Sequence, residues 1–397
     1  MRLLITSIVD PATSAHSRMH EFAKYLSRKH DVTILSINDS WKKNQKSSSA
    51  YRDDWDESAS NIRLKYLTEK NLTLIKQEMS SKSLAKESAR EFAEGGIDLI
   101  LDYNTIRMGQ NVASLLGGVP RIYDLADDLV DMIRISPQLS PITARIGALA
   151  SRHFIKSSIK KAHIVTSTSS ALLSEYGVPE TKRRILPNGV PADFLEPVQH
   201  SEIIDPREEK EEFLIGYVGV LREWVDFAPV FSAIRTVKRQ FPVRLVILGE
   251  EGGAGDLRSM AKREGVLPNV TMVGTVPHND IPRYLAACDC GIIPFTRSGT
   301  ATHALPLKLF EYLSLGLPTI SSRIQAIENQ FNEETLIYDT SADLTSIITD
   351  LRSSPDLRMT LAERGRARVR NEYTWEKILP GLDKVIAEAL AEVGKQQ

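Results

Sequence analysis

The chain has 397 residues, of which 42% are hydrophobic and 25% charged, and its formal net charge is −1. This length exceeds one ordinary hydrophobic core and predicts two domains. Because binding to nucleic-acid phosphates requires an excess of basic residues, the near-neutral charge argues against a nucleic-acid-binding protein. The composition therefore indicates a globular chain with two domains.

The only cysteines, Cys288 and Cys290, lie two positions apart in a segment that predicts a strand, where both side chains would point to one face. A zinc or redox site would need more ligands in a different spacing. We interpret both as core residues in a reducing compartment. The start of the chain lacks a long apolar signal region, and no apolar run reaches the roughly twenty residues that cross a bilayer. We therefore expect a cytoplasmic protein.

The first half alternates between short apolar runs and helical patterns, as in an α/β domain. The chain begins with a predicted strand at 2–9, a helix at 20–30 and a second strand at 31–37. Further buried strands are predicted at 97–102, 121–123 and 163–166. This alternation predicts a parallel sheet covered by helices.

A polar, charged segment without periodicity separates this half from a second alternating region. We place the first domain at 1–187, a linker at 188–212 and the second domain at 213–374. The last segment, 375–397, has apolar residues at helical spacing and predicts an amphipathic helix.

Lys308 and Glu311 lie one helical turn apart, just after Pro306. A cation and a carboxylate on one helix face could hold a nucleotide, with the lysine at phosphate oxygens and the glutamate at a ribose diol. A solvated ion pair at the start of an amphipathic helix is the alternative. The order of the surrounding strands and helices favours the nucleotide site.

Five motifs in a fixed order carry a resemblance to a known family. They are AHIVTSTSS at 162–170, ILPNGV at 185–190, IGYVGVLREWVDF at 215–227, PLKLFEY with GLP at 306–318, and a terminal block that begins with GRARVRNEYTW at 365–375. With these motifs the chain resembles the retaining glycosyltransferases of family 4, a glycogen-synthase-like group. The resemblance implies a GT-B fold: two Rossmann-like domains with parallel sheets facing across a cleft, and a C-terminal helix that crosses back to the first domain.

The resemblance implies a donor site for a nucleotide-diphosphate sugar in the second domain. Gly219 ends the IGYVGV strand, where a residue without a Cβ lets the backbone approach the diphosphate. Arg222 follows as a phosphate ligand. The loop lysine of the family is missing, so Lys308 is expected to supply the second cation. Glu311 is expected at the ribose, and backbone groups of Thr275 and Val276 at the base.

One position departs from the family pattern in a way that affects the donor sugar. A glutamate is expected eight residues before Glu311, but His303 stands there. A histidine can still hydrogen-bond a sugar hydroxyl. Pro306 removes a backbone donor, so sugar and phosphate contacts are expected from the amides of Leu305 and Leu307.

The acceptor side is expected in the first domain. Asp127 and Asp128 follow the strand at 121–123, where relatives have a histidine–aspartate pair, but Ala126 stands at the histidine position. We interpret Asp127 as a candidate catalytic residue, with an acidic helix N-terminus as the alternative. His16 and Arg18 occupy the first strand–helix loop in place of a glycine-rich turn, so they are the remaining candidates for acceptor contacts.

The resemblance implies sugar transfer with retention, in which Asp127, Arg222, Lys308 and His303 are the candidate catalytic residues. No metal or other cofactor is expected, since two cations can neutralise a diphosphate and no Asp-x-Asp follows a predicted strand of the second domain. The acceptor could be a glycan, a lipid-linked molecule or a small molecule. A catalytically inactive partner subunit, and an isomerase or phosphorylase on the same fold, are the alternatives.

Residues 137–161 mix apolar side chains with arginines and lysines. Such a helix could lie on an anionic membrane, at the inner face, near a lipid-linked acceptor. A core-packed helix with a basic outer face is the alternative.

Overall fold

The structure is a computed structural model that describes residues 1–39, 55, 61–136, 139–209, 211–249, 257–297 and 299–394. Within this part the chain divides into two compact units. The first contains Met1–Pro187 and Ile378–Gln397, and the second contains Asn188–Lys377.

The first unit is built on a seven-stranded parallel sheet in the order β3-β2-β1-β4-β5-β6-β7. Its strands are β1 (Arg2–Ser7), β2 (Asp31–Ser36), β3 (Ile62–Tyr66), β4 (Leu99–Tyr103), β5 (Arg121–Leu125), β6 (Ile164–Ser167) and β7 (Arg183–Ile185). Its helices are α1 (Arg18–Ser27), α2 (Leu74–Leu84), α3 (Lys86–Gly95), α4 (Met108–Leu115), α5 (Leu129–Arg134), α6 (Pro141–Lys161) and α7 (Ser170–Glu175).

The second unit has a six-stranded parallel sheet in the order β10-β9-β8-β11-β12-β13. Its strands are β8 (Phe213–Val218), β9 (Val243–Leu248), β10 (Val270–Gly274), β11 (Cys290–Ile293), β12 (Thr319–Ser322) and β13 (Thr335–Tyr338). Its helices are α8 (Ala228–Val237), α9 (Leu257–Arg263), α10 (Ile281–Leu285), α11 (Leu307–Ser314), α12 (Gln325–Phe331), α13 (Ser341–Ser353) and α14 (Pro355–Glu372), and α15 (Trp375–Gly394) begins here.

Each sheet has the strand order of a Rossmann-like domain. In the first unit the order reverses between β1 and β4, and in the second between β8 and β11. The central strands β1, β8 and β9 are buried almost throughout because both faces of a parallel sheet are covered by helices. Ligands of such sheets bind outside the carboxyl ends of the strands, at the point of reversal. In the second unit this rule predicts a ligand site beyond β8 and β11.

The last helix continues from the second unit into the first. At its start, Trp375 N–H donates to the Val190 carbonyl at 2.9 Å in the second unit. From Ile378 onward it packs in the first unit, where Tyr25 Oη donates to Asp383 Oδ2 at 2.6 Å. Residues 395–397 lie outside the described part of the chain.

Residues 188–212, which the sequence suggested as a linker, belong to the second unit. Ile204 N–H donates to the Arg283 carbonyl at 3.0 Å, and Arg207 pairs with Asp205 and Asp289. These contacts fix the segment along the second unit because its polar side chains find partners there.

Two expected elements differ from the structure. β11 begins at Cys290, so Cys288 precedes the strand instead of lying in it. Cys288 N–H donates to the Leu285 carbonyl at 2.9 Å, which closes the turn after α10. The expected helix at 137–161 is α6, Pro141–Lys161, since Ser140 caps its start and Pro141 occupies the first turn. Residues 137 and 138 lie outside the described part of the chain.

Candidate functional site

Three glycines expose bare backbone at the carboxyl edge of the second sheet. Gly219 follows β8, Gly249 follows β9 and Gly274 ends β10, with φ of 120°, 149° and 89°. Gly219 N–H donates to the Leu248 carbonyl, and Gly249 N–H donates to that of Gly274, both at 2.8 Å. A Cβ on Gly249 would lie 2.2 Å from the Gly219 carbonyl oxygen. Only glycine fits at this position, because an added Cβ would overlap the neighbouring backbone.

Lys308 extends from the first turn of α11 to this edge. Its Nζ lies 3.9 Å from the centre of the Tyr217 ring and 5.1 Å from that of Phe295. A Cβ on Gly219 would lie 2.9 Å from the same nitrogen. Among the described residues, no carboxylate lies within ion-pair distance of Nζ. The predicted phosphate cation is therefore next to the predicted glycine, with its charge available to a ligand.

Burial of the Lys308 ammonium lowers its pKa to about 7, and the negative charge of Glu311 acts in the opposite direction. The aromatic faces also favour the charged form, so desolvation is the larger effect. An incoming anion would replace the missing solvation. The site is thus arranged to bind negative charge.

Glu311 lies one turn after Lys308 on α11 and is 4% exposed. Its Oε1 is 3.0 Å from His278 Nε2. The His278 ring stacks on Phe194, with ring centres 5.1 Å apart and planes at 27°. Sequence reasoning missed His278: its only signal was its position four residues after Gly274, and nothing in the chain order connected it with a residue 33 positions later.

Arg222 is an exposed residue in the loop after β8, as predicted. Its carbonyl accepts from Val225 N–H at 2.9 Å, which closes the loop into a turn. Burial raises the pKa of Tyr217, and the positive charge of Arg222 is close enough to oppose this rise. Arg222 and Lys308 thus approach the same tyrosine, and Arg222 has no ion-pair partner among the described residues.

The segment before α11 holds the other predicted donor residues. His303 ends a short 3₁₀ turn, Gly299–His303, and is half-buried. Leu305 is buried, and its carbonyl accepts from Asn188 Nδ2 at 2.9 Å. Leu307 is the first residue of α11, where the first backbone N–H groups have no partner within the helix. Asn188 belongs to the ILPNGV motif, so this motif supports the backbone at the start of α11.

Thr275 and Val276 directly follow β10 and are half-buried. The Val276 side chain packs against the core of the second unit. Their backbone therefore continues directly from Gly274 at the carboxyl end of β10. In the sheet, β10 is an outer strand, on the opposite side of β8 from β11 and β12.

In the first unit, Arg18 is a core residue and not an exposed acceptor ligand. It is 2% exposed, and its Nε and Nη2 lie 3.1 and 3.2 Å from the Asp124 carboxylate. Nη1 donates to the Leu186 carbonyl at 2.8 Å. The predicted acceptor contact of Arg18 is corrected to a structural role, because its guanidinium neutralises a fully buried carboxylate.

His16 is close to the same helix start. Its Nε2 lies 3.0 Å from Glu21 Oε1, and its ring stacks on His20 at 5.2 Å between ring centres. His20 in turn forms a capping box with Ser17 at the start of α1. The His16 side chain thus contacts Glu21 and His20 of α1.

Asp127 and Asp128 separate into different roles. Asp128 is the N-cap of α5: its Oδ1 accepts from Asp131 N–H at 3.2 Å and from Tyr176 Oη at 2.6 Å. Asp128 therefore has the role that the alternative interpretation gave, a carboxylate at the N-terminus of a helix. Asp127 is exposed beyond the carboxyl end of β5. Burial raises the pKa of Tyr103, and the negative charge of Asp127 adds to this rise.

The cysteines are surrounded by core residues. Burial raises the pKa of the Cys288 thiol to about 12, and it also raises that of Cys290. Both are therefore protonated thiols, without the thiolate character of a reactive or metal-binding cysteine. None of the helices in the described part of the chain has the length and apolar character needed to cross a membrane.

Comparison with solved structures defines the class of fold. Sucrose-phosphate synthase from Thermosynechococcus elongatus is similar with a TM-score of 0.75 and 17% identity, over 98% of this chain and 99% of that one. Anabaena HepE, solved in complex with UDP-glucose, is similar with a TM-score of 0.73 and 17% identity, over 99% of this chain and 100% of that one. WaaG, a lipopolysaccharide glycosyltransferase, gives 0.63 and 15%, over 96% of this chain and 99% of that one. The chain therefore has the predicted GT-B fold with two Rossmann-like domains.

Sequence comparison identifies the second unit more closely. The family model described as "Glycosyl transferases group 1" matches residues 199–368. Residues 199–368 are therefore similar to this family. It is also 26% identical over 196 residues to TuaH of Bacillus subtilis strain 168, which is assigned as a glycosyltransferase of teichuronic acid biosynthesis. The match spans 47% of this chain and about half, 48%, of that relative.

Proposed function

We propose that the protein is a retaining glycosyltransferase of family 4 type that transfers a sugar from a nucleotide-diphosphate sugar. The observation that carries this proposal is the position of Lys308 Nζ beside Gly219, one helical turn before the buried Glu311. A cation at bare backbone and a carboxylate one turn away match the two anionic phosphates and the ribose diol of a donor. The group 1 family match over the same residues supports this assignment.

We propose a uridine-diphosphate sugar as the donor. HepE was solved with UDP, with UDP and glucose, and with UDP-glucose, and its fold extends over the whole of this chain. The base would lie at the backbone of Thr275 and Val276, where main-chain groups read a base edge.

In the proposed reaction, the bond between the anomeric carbon and the diphosphate oxygen breaks, and the acceptor oxygen bonds to the same face of the sugar. The acceptor proton passes to a phosphate oxygen of the leaving group. Arg222, Lys308 and the amides of Leu305 and Leu307 would stabilise the developing charge on the diphosphate. His303 would hydrogen-bond the transferred sugar, and Asp127 would orient the sugar or the acceptor. This route needs no metal ion.

The donor site is tested by thermal unfolding with a panel of nucleotides and nucleotide sugars. A ligand at a hundred times its Kd stabilises the folded state by about 2.7 kcal/mol, which raises the Tm of a unit of this size by roughly 5–10 °C. We expect a selective shift with UDP and a UDP-sugar that Lys308→Ala and Glu311→Ala abolish. Lys262→Ala, which removes an exposed lysine of α9, is the matched control and should keep the shift. Absence of any shift at millimolar nucleotide would refute the donor site.

Retention is tested on the product. Once a donor is known, the anomeric configuration of the product, read from NMR coupling constants, should equal that of the donor sugar. An inverted product would overturn the retaining mechanism and leave the donor site intact.

A non-catalytic partner subunit is the second candidate, because two positions depart from the family pattern. His303 replaces the expected glutamate, and the buried Ala126 replaces the expected histidine. Donor binding without product formation on a broad acceptor panel would favour this candidate. Turnover with any acceptor would exclude it.

For the acceptor, we propose a glycan or lipid-linked molecule reached at the inner face of a membrane. The exposed face of α6 supports this part of the proposal. Ile142, Ile146 and Leu149 are 74%, 62% and 64% exposed and lie on one side of the helix. The same side continues into Lys156 and Lys160, and α6 contains no acidic residue. An apolar ridge followed by cations is complementary to an anionic bilayer.

Vesicle flotation tests this contact. We expect the protein to bind vesicles with anionic phosphatidylglycerol but not those of phosphatidylcholine alone. Replacing Ile146 and Leu149 with serine should weaken binding at least about tenfold, since each buried aliphatic side chain contributes about 1.5–3 kcal/mol. Met359→Ser, at a residue 57% exposed on α14, is the control and should have no effect. Equal binding of the wild type and the double serine variant to the anionic vesicles would contradict the assignment of the membrane contact to α6.

A further inference from the structure

A histidine from a distant loop is attached to the carboxylate expected at the donor ribose. His278 Nε2 and Glu311 Oε1 are 3.0 Å apart, and the two side chains are 11% and 6% exposed. His278 starts a 3₁₀ turn, His278–Asp280, while Glu311 lies on the buried side of α11. The contact thus joins the loop after β10 to the helix that also carries Lys308.

The His278 ring is itself held in place. Phe194 stacks on it with ring centres 5.1 Å apart, and Phe194 is only 2% exposed. Phe194 belongs to a short turn, Ala192–Leu195, that packs against α11. Stacking on a buried ring limits the orientations of the His278 ring and therefore the position of its Nε2.

A carboxylate has two oxygens, and this pairing uses one of them. A glutamate side chain has several rotamers, and fixing it at the moment of binding lowers affinity. A hydrogen bond from His278 to Oε1 would fix the carboxylate before the nucleotide binds, and it does not use Oε2. Oε2 would then remain as the acceptor for a ribose hydroxyl.

We propose that His278 is a positioning residue for ribose recognition, which acts by orienting the Glu311 carboxylate. This inference rests on the proposed donor site and adds the residue that sets its preference for ribose over deoxyribose. A purely structural histidine would affect all ligands of the site equally. A positioning histidine affects the ligand that carries the ribose hydroxyl.

The experiment compares UDP with 2′-deoxy-UDP by titration calorimetry on the full-length protein. The wild type should bind UDP about tenfold or more tightly than the deoxy analogue, as expected for a hydrogen bond to a charged group. His278→Phe keeps an aromatic ring for Phe194 but removes the donor, so the ratio of the two Kd values should fall to about threefold or less. His278→Gln keeps an N–H donor at a similar distance and should retain most of the ratio.

The outcomes separate the inference from the proposed function. If the wild type binds no nucleoside diphosphate, the donor site and this inference both fail. If it binds both ligands equally, or if His278→Phe weakens both without changing their ratio, the positioning role is overturned while the donor site stands. If His278→Phe does not fold, the ratio of the two Kd values is compared between the wild type and His278→Gln. Loss of this ratio in a folded glutamine variant contradicts the inference.

Discussion

At the scale of single residues, Lys308 combines contact with two aromatic rings and a lowered pKa. Its ammonium lies against the faces of Tyr217 and Phe295, and burial lowers its pKa to about 7. A group that is only partly charged at neutral pH, but that would be fully charged beside a diphosphate, must take up a proton when the ligand binds.

Proton uptake by Lys308 can therefore be predicted. At pH 8 the lysine of the free protein is mostly neutral, and a bound diphosphate raises its pKa, so binding of UDP should take up nearly one proton. The affinity should fall as the pH rises above about 7. The measurement is calorimetry in two buffers with different ionisation enthalpies. A Kd and a binding enthalpy that do not depend on pH or buffer between pH 7 and 9 would contradict the prediction. In Lys308→Arg, which stays charged, the uptake should disappear.

Gly219 gives a second prediction at this scale. In Gly219→Ala the Cβ would lie 2.9 Å from Lys308 Nζ, and the φ of 120° is strained for alanine. We expect the stability to fall by about 1–3 kcal/mol and nucleotide binding to be lost, since the lysine must move. Gly118→Ala is the control, because its φ is 101° but a Cβ there meets nothing within 4 Å. Both variants are compared by denaturant unfolding and UDP titration. Equal loss of UDP binding in the control would show that backbone strain alone is responsible.

At the scale of secondary-structure elements, a buried carboxylate joins two helices of the first unit. Glu78 of α2 accepts backbone N–H groups of Ile106, Arg107 and Met108, at 3.0, 2.8 and 2.9 Å. These groups form the start of α4, where N–H donors otherwise have no partner within the helix. Burial nevertheless raises the pKa of Glu78 to about 7, against the effect of these donors.

The raised pKa of Glu78 predicts a pH-dependent stability. The folded value is above the ordinary value of 4.5, so the stabilisation from the protonated form is complete below pH 4.5 and is lost as the pH rises to about 7. This corresponds to a decrease of the order of 3 kcal/mol in the free energy of unfolding. Glu78→Gln should flatten the stability curve in this window, as measured by urea unfolding at several pH values.

The control for this prediction is Glu91→Gln, at an exposed residue of α3 that pairs with Lys65. Some slope should persist in every variant, because burial also raises the pKa of Asp102 and Asp124. If the slope between pH 4.5 and 7 is the same in Glu78→Gln and the wild type, Glu78 is ionised throughout and the prediction is wrong.

At the scale of the whole molecule, the last twenty residues belong to the compact unit that contains the beginning of the chain. Leu382, Val385 and Ile386 on α15 are nearly inaccessible to solvent. Asp383 accepts hydrogen bonds from Tyr25 and Lys29, and Arg184 pairs with Glu388. The first unit therefore completes its packing only with the C-terminal helix.

This arrangement predicts where a destabilising change on α15 acts. Leu382→Ala should lower the stability of the first unit by about 2–5 kcal/mol, because it leaves a cavity at a fully buried position. Hydrogen exchange resolved by peptide should show lost protection in β1, β4 and β5 and unchanged protection in β8 and β9. Glu388→Ala removes an exposed ion pair and should change either unit by less than about 1 kcal/mol. Lost protection confined to the second unit would contradict the prediction.

Much of the fold was predictable because it depends on local patterns. The apolar runs at 31–37 and 97–102 and the IGYVGV run became β2, β4 and β8, since buried parallel strands are largely hydrophobic segments bounded by loops. An acidic helix N-terminus after the strand at 121–123 was also among the sequence alternatives, and Asp128 caps α5 there. Element ends were less accurate, as at Cys288, where the chain makes a turn before β11 begins.

The sequence by itself determined the α/β alternation, the GT-B class through the resemblance of its motifs, and the short-range relations at the proposed donor site, such as Lys308 one turn before Glu311. Only the tertiary structure decided which charged side chains are available and which are already paired. Arg18 is bound to Asp124, 106 residues away, and Glu311 to His278, 33 residues away. Helical and strand periodicities report neighbours within a few positions, whereas these partners meet only when strands and loops distant in the chain come together at one edge of a sheet.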